Sequence, residues 1–194
     1  MGNLRTVLAA SAVALLLAAC TNADVEHSES ASPSASVSVS ASATATPTAG
    51  VDQLLEKLPE DARYPDLGGA IKTAEFFFTL YAPMFQSGDT TLWDALSLPG
   101  CVYCEDASKN AALVREGNWI ATGGEISPDI GTEDSGLDGE TAVVAFEADF
   151  ADAYLAASGS TPELQEPASR RTIYTKLELV EGVWRVSQVM VSES

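Results

Sequence analysis

Two cysteines separated by two residues, Cys101 and Cys104, are the side chains in this sequence best suited to chemistry. Such a pair can close a short disulfide, exchange disulfides with other thiols, or supply two ligands to zinc. A structural zinc site needs four cysteine or histidine ligands. From residue 51 onward the sequence has no further cysteine and no histidine. We therefore expect neither a metal nor a cofactor, and a disulfide or an exchange site remains.

A third cysteine, Cys20, follows a segment with the composition of an export signal. Arg5 and the amino terminus are positive, and residues 7–19 are apolar over a length too short to span a bilayer as a helix. The segment ends in LAAC, which resembles the lipobox of bacterial lipoprotein signal peptides. The resemblance implies that residues 1–19 are removed and that Cys20 carries fatty acyl chains, palmitate among them. These chains would anchor the protein on the extracytoplasmic face of the cell membrane.

Residues 20–50 have a different composition, rich in Ser, Ala, Thr and Pro. They show no period of two or of 3.6 that would place apolar side chains on one face. Such a composition cannot bury enough apolar surface to offset the entropy of ordering. We expect a disordered tether in which His27 is an incidental, solvated side chain. The globular domain would then comprise residues 51–194.

Export changes the expectation for Cys101 and Cys104, because thiols outside the cytoplasm tend to oxidise. We expect a disulfide that rigidifies a corner of the chain. Exchange chemistry is the alternative, since a helix predicted after the pair would lower the pKa of a thiol. Glu105 and Asp106 argue against it, because their charges oppose a thiolate.

The overall charge limits the classes of partner. The sequence has 28 acidic and 10 basic residues and a formal net charge of -18. Phosphates of nucleic acids and anionic lipid headgroups would be repelled by such a surface. We therefore predict no nucleic-acid partner. Contact with the membrane would run through the lipid on Cys20, and the domain's partner would be an envelope protein or a small apolar ligand.

The elements that must position these residues change type along the domain. Its first half has helical periodicity, and Asp89 is expected to cap a short helix that carries Trp93. Its second half alternates with the period of a half-buried strand, and Glu181-Gly182 is typical of a hairpin turn. Residues 127–139 and 158–167 are interpreted as polar loops. The predicted helices are 51–58, 70–86 and 107–116, with a short one between Asp89 and Pro99 that carries Leu92, Trp93 and Leu96. The predicted strands are 119–121, 142–150, 173–179 and 184–191. Helices followed by antiparallel strands predict an α+β fold.

Three segments carry a resemblance to a known family. The aromatic helix AEFFFTLYAPMFQSGDTTLWDALS, the corner PGCVYC and the closing GVWRVSQV resemble a domain family of unknown function found in actinobacterial lipoproteins. That family looks like a member of the nuclear-transport-factor-2-like superfamily. The resemblance covers roughly residues 58–191, and its most specific element runs from Gly88 to Cys104. It implies N-terminal helices packed into the concave side of a curved antiparallel sheet, which together form a cone. It implies no established activity.

Cones of this superfamily often enclose a pocket, and some are isomerases, dehydratases or cyclases. Those enzymes need a buried acid or base, which in a domain without histidine would be a carboxylate or Tyr81. Glu75 is the candidate, because it lies on the aromatic helix. The other candidate pocket residues are aromatic, although a stripe at helical spacing equally forms an ordinary core. They are Phe78, Tyr81, Phe85, Trp93 and Trp119.

These observations favour a membrane-anchored extracytoplasmic lipoprotein whose domain binds a partner or ligand without catalysis. No catalytic residue is assigned. The alternatives are a cone-pocket enzyme of the isomerase or cyclase type, which uses a carboxylate base, and a thiol–disulfide exchanger at Cys101 and Cys104. An exchanger would expose one sulfur atom, and an enzyme would bury a carboxylate at the bottom of a cavity.

Overall fold

Helices occupy the first half of residues 48–192, the part of the chain that the computed structural model describes. The predicted signal peptide, the predicted lipidation site Cys20 and nearly all of the predicted tether lie outside these residues. Within them, no helix combines the length and the apolar character that crossing a membrane requires. The helices are α1 (Thr48–Lys57), α2 (Leu67–Thr79), α3 (Tyr81–Ser87), α4 (Thr91–Leu96) and α5 (Val102–Glu116), with a 3-10 turn at Glu60–Arg63.

The long helix predicted over residues 70–86 is two helices. Asp66 caps the first, because its side chain accepts a hydrogen bond of 2.8 Å from the backbone N–H of Gly69. The break falls at Leu80, between α2 and α3. Pro83 explains it, since proline has no N–H to donate to the carbonyl four residues earlier and its ring clashes with that carbonyl. The predicted single helix is therefore wrong at this point.

The helix predicted from Ala107 begins five residues earlier, at Val102. Cys101 is its N-cap residue, so the cysteine pair lies at the start of α5 and not in the corner before it. Asp89 stands two residues before α4, where its side chain accepts a hydrogen bond of 3.0 Å from the N–H of Thr91. Hydrogen bonds with Thr91 hold the pKa of Asp89 below its usual value.

Within residues 48–192, seven antiparallel strands form two sheets, in the orders β1-β4-β5 and β2-β3-β6-β7. The alternating segments were predicted correctly as strands, and the Glu181-Gly182 turn has positive φ at both residues, as a two-residue hairpin of type I′ requires. The two predicted loops were wrong, because each contains a strand. The strands are β1 (Trp119–Gly123), β2 (Ile126–Asp138), β3 (Thr141–Phe150), β4 (Ala153–Ala157), β5 (Glu163–Glu166), β6 (Ser169–Val180) and β7 (Val183–Ser192).

The two sheets are continuous along the chain. Only two residues separate β1 from β2, β3 from β4, and β5 from β6. Neighbouring segments stay paired on both sides of these breaks. On one side β1 pairs with β4 and β4 with β5, and on the other side β2 pairs with β3 and β3 with β6. The segments β1–β2, β3–β4 and β5–β6 therefore form three long ribbons that lie side by side, and each ribbon bends between its two strands. We call this bend the crease: residues 124–125, 151–152 and 167–168.

The core lies between the helices and the larger sheet. Helix α2 contacts all four strands of that sheet, and α5 contacts β7, α3 and β1. Phe77 of α2 stacks on Trp93 of α4 with ring centroids 3.9 Å apart, and Phe78 meets Phe146 of β3 edge to face. All four rings are fully buried. The predicted α+β architecture, with N-terminal helices packed on a curved antiparallel sheet, is thus the one observed.

Candidate functional site

A cavity of about 340 Å³ lies where α3 and α5 face the crease. This volume is at the lower end of the range for small-ligand sites, which are concave and mostly apolar. Side chains from both helices and from six strands line it. The large apolar and aromatic members are Tyr81, Phe85, Tyr103, Val114, Phe150, Tyr154, Leu155 and Val191.

Asp152 fastens the three ribbons of the crease to one another. Its carbonyl oxygen accepts a hydrogen bond of 3.0 Å from the N–H of Gly124, and its Oδ1 accepts one of 2.6 Å from the N–H of Ala168. Its Oδ2 accepts a further bond of 3.2 Å from the hydroxyl of Tyr154, which raises the pKa of that tyrosine. Asp152 thereby holds the bend, together with a hydrogen bond of 2.9 Å from the N–H of Ala151 to the carbonyl oxygen of Glu125.

The crease also requires glycine at its edge. Gly123 has φ +71 and pairs with Ala153 in β4, and a Cβ atom at this position would lie 2.0 Å from the carbonyl oxygen of Asp152. Gly123 and Gly124 both line the cavity. The backbones of Gly123 and Asp152 therefore approach each other closely at the edge of the cavity, which only glycine allows.

One ion pair forms the charged part of the wall. Nη2 of Arg171, at the start of β6, donates to Oε1 of Glu166 at the end of β5. The guanidinium also lies over the ring of Phe150, 5.0 Å from its centroid, in cation–π contact. A quarter of the Arg171 side chain is exposed, against about half of Glu166. The arginine is therefore the more deeply set partner.

Two tyrosines share this region of the wall. Burial raises the pKa of Tyr103, and the nearby Tyr81, when ionised, and the Glu166 carboxylate raise it further. Burial, and then Glu166, likewise raise the pKa of Tyr81. Both hydroxyls consequently stay protonated at any physiological pH. Neither is hydrogen-bonded to another of residues 48–192.

Of the six residues predicted to form a ligand pocket, the structure brings two together. Tyr81 and Phe85 line the cavity, with ring centroids 4.8 Å apart. Phe78 and Trp93 lie one layer deeper in the core, where their rings contact that of Tyr103. Helical periodicity shows which residues share a face but not how deep each one sits, and this is why the core and the pocket were not separated.

The remaining two predicted pocket residues lie outside the cavity. Trp119 is at the start of β1, 46% exposed, and packs against Gly117. Glu75 is half-buried on α2 and forms an ion pair with Lys72, with 2.8 Å between Oε2 and Nζ. The hypothesis of a buried carboxylate base at Glu75 is therefore not supported, because this side chain is paired and does not face the cavity.

Cys101 and Cys104 form the predicted disulfide, with their Cα atoms 5.2 Å apart. Each residue is only 1% exposed. The indole N–H of Trp93 donates to the carbonyl oxygen of Cys104 over 3.0 Å, which joins the start of α5 to α4. Thiol–disulfide exchange requires an accessible sulfur, so this burial favours a structural role.

Metal-ligating residues do not gather in the described part of the chain: within residues 48–192, no three His, Cys, Asp or Glu side chains stand close enough together to hold an ion.

Sequence reasoning missed most of the cavity wall. Tyr103 lies between the two cysteines, Phe150 ends a strand, and Arg171 and Tyr154 were assigned no role. Each belongs to a different element, and the pairing of the strands together with the crease brings them to one cavity. The one available signal was Gly123-Gly124 after a short strand, since paired glycines often mark a bend where backbones approach closely.

Comparison with solved structures shows several with a related arrangement, although no curated protein matches the sequence. One is the intermembrane space region of the chloroplast protein ARC6, with 13% identity over 66% of this chain and 98% of that chain and a TM-score of 0.49. Another is a nuclear transport factor 2-like superfamily protein from Salmonella enterica serovar Typhimurium, with 14% identity, 66% and 92% coverage and a TM-score of 0.44. A third is an NTF2-like protein with a cystatin-like fold from Novosphingobium aromaticivorans, with 14% identity, 74% and 86% coverage and a TM-score of 0.38. At these scores the likenesses carry no argument about function.

Family membership follows from the sequence. A family model described as a family of unknown function, DUF6318, matches residues 57–190. The match begins at the last residue of α1 and ends within β7, so it includes every residue that lines the cavity except Val191. The chain therefore belongs to the DUF6318 family.

Proposed function

We propose that this domain is a binding module, not an enzyme, and that it takes a small, largely apolar ligand in the cavity at the crease. The cavity itself is the observation that supports the proposal. It is concave, it is walled mainly by aromatic and aliphatic side chains, and four of its polar side chains, Tyr81, Tyr103, Glu166 and Arg171, lie close enough to interact electrostatically. Sites that bind small molecules combine these three properties.

Two further observations favour binding over the alternative activities. The carboxylate proposed as a base, Glu75, is paired with Lys72 outside the cavity. The disulfide proposed as an exchange site is buried at both cysteines. In contrast, the binding role needs only a shaped cavity on a rigid frame, which Asp152 and the crease supply.

We further propose that the domain works outside the cytoplasm on a lipid anchor at Cys20. The lipobox-like LAAC supports this, and so does the disulfide, because such bonds persist in oxidising compartments. The Cys20→Ala variant of the full chain, expressed in an exporting host, should move from the detergent phase to the aqueous phase on phase separation. Equal partitioning of the variant and the wild type would contradict the anchor.

Filling the cavity tests the binding role. Ala121 of β1 lines the cavity, so Ala121→Phe should place a ring in the space that the ligand needs. We expect small molecules that co-purify with the domain, detected by native mass spectrometry, to fall at least about tenfold in occupancy, since a blocked cavity forfeits most of its buried contacts. Val143→Phe is the matched control, because it adds the same ring on an exposed strand position.

The outcomes are distinct. Retained occupancy in Ala121→Phe, with a thermal midpoint near that of the wild type, would show that the ligand binds elsewhere. If the wild-type domain, purified from its native envelope, carries no small molecule under gentle ionisation, the binding role is contradicted and an accessory role toward another envelope protein takes precedence. Cross-linking in the intact envelope would then identify that protein.

A further inference from the structure

The polar groups of the cavity wall indicate what kind of ligand fits. Arg171 and Glu166 form an ion pair whose charges cancel, and both line the cavity. A ligand with its own net charge would meet one partner of like sign at close range. An anion would approach the Glu166 carboxylate, and a cation would approach the Arg171 guanidinium. An uncharged ligand leaves the pair intact.

Hydrogen-bond donors are in excess along the same wall. Within residues 48–192, Glu166 is the one acceptor of a side-chain hydrogen bond from Arg171, which leaves Nε and Nη1 of the guanidinium for a ligand or water. The hydroxyls of Tyr81 and Tyr103 likewise have no partner there, and both stay protonated as donors. Tyr154 differs, because its hydroxyl already donates to Asp152.

We propose that the cavity takes an uncharged, mainly apolar molecule with a carbonyl oxygen, which the hydroxyls of Tyr81 and Tyr103 and the free edge of Arg171 receive as donors. A carbonyl oxygen has two lone pairs and no proton, so it matches a wall that offers donors. The aromatic remainder of the wall receives the apolar body of the molecule. This inference rests on the proposed binding function and gives it a ligand class.

Four naphthalene probes substituted at the same ring position test the class. Acetylnaphthalene has the carbonyl, ethylnaphthalene replaces it by a methylene, naphthoate adds a negative charge, and naphthylmethylammonium adds a positive one. We expect acetylnaphthalene to bind about fivefold more tightly than ethylnaphthalene in equilibrium dialysis, the ratio of about one net hydrogen bond. Both charged probes should bind more weakly than either neutral one.

The double variant Tyr81→Phe, Tyr103→Phe locates the donors. It removes both hydroxyls and keeps both rings, so ethylnaphthalene should bind as it does to the wild type, which also shows that the variant folds. The preference for acetylnaphthalene should fall toward one. Tyr174→Phe is the control, because Tyr174 is exposed on β6 and does not line the cavity. Its probe affinities should not change.

Each outcome bears on a different statement. Binding of none of the four probes would contradict the proposed binding function together with this inference. Tightest binding of naphthoate or of naphthylmethylammonium, or equal binding of the two neutral probes, would leave the binding function standing and overturn the ligand class. An undiminished preference in the double variant would overturn the role of the tyrosine hydroxyls.

Discussion

The Gly123→Ala variant should lose about 3 kcal/mol of unfolding free energy, because a left-handed backbone conformation costs alanine about 1–2 kcal/mol and overpacking adds about as much again. The structure supplies both reasons. Gly123 has φ +71, and the new Cβ would lie 2.0 Å from the carbonyl oxygen of Asp152. The two backbones at the crease would have to separate. Urea denaturation followed by circular dichroism measures the loss.

Gly139→Ala is the matched control for this prediction. Gly139 has φ +59, a similar conformation, but nothing lies within 4 Å of the added Cβ. The control should therefore show only the conformational cost, about 1–2 kcal/mol. The difference between the two variants isolates the contact at the crease. Equal losses would mean that the backbones at Gly123 and Asp152 are free to move apart.

The Trp93→Ala variant should lose about 3–5 kcal/mol, the usual cost of deleting a large ring from a core. Trp93 is 1% exposed, stacks on Phe77 at 3.9 Å, and donates its indole N–H to the carbonyl oxygen of Cys104. The substitution therefore opens a void at the point where α2, α4 and α5 meet. Denaturation in urea measures the change, with the disulfide kept oxidised.

Trp119→Ala is the comparison for this second variant. The same side chain is removed, but Trp119 is 46% exposed and lies on an edge strand. Its loss should cost about 1 kcal/mol or less, as is usual at exposed positions. Similar losses at the two tryptophans would contradict the assignment of Trp93 to the core. Trp93→Phe keeps a ring in place and provides a milder variant if the alanine variant does not fold.

The strands with clear alternation could be predicted from the sequence. In β3, Ala142, Val144, Phe146 and Ala148 are buried while the residues between them are more exposed. A sheet with one covered face requires apolar and polar residues to alternate along each strand, so the strand can be recognised in the sequence. The hairpin turn at residues 181–182 was predictable for a similar reason, since glycine accommodates its positive φ.

Strand β2 could not be predicted in this way. The segment from Ser127 to Gly139 contains proline, three glycines and several acidic residues, which is typical of a loop. It is nevertheless a strand, because it lies at an edge and pairs with β3 through the backbone on both sides of an irregularity between Asp129 and Asp134. Pairing of this kind depends on the neighbouring strand and not on local side-chain preference.

The candidate site was predictable only where a single helix contributes to it. Tyr81 and Phe85 are one turn apart on α3, so they point to the same side, and the structure places both in the cavity. Phe150 and Arg171 lie on different strands and come together because β3 pairs with β6, with Phe150 opposite Ser169 and Ala148 opposite Arg171. The spacing of residues along the sequence does not predict such a contact, because the contact depends on the arrangement of the whole sheet.

At the crease, the residues that hold the backbone of the cavity in place differ from the side chains that would select its ligand. The bend is held by a main-chain hydrogen bond from Gly124 to Asp152 and by a bond from the N–H of Ala168 to the side chain of Asp152. Neither bond involves the rings and aliphatic groups of the wall. Wall residues such as Phe85 and Leu155 can therefore be substituted without altering the backbone that positions them. The same backbone would then support cavities that bind different ligands. This makes the domain a suitable starting scaffold for receptors of altered preference, with Asp152 and Gly123 left untouched.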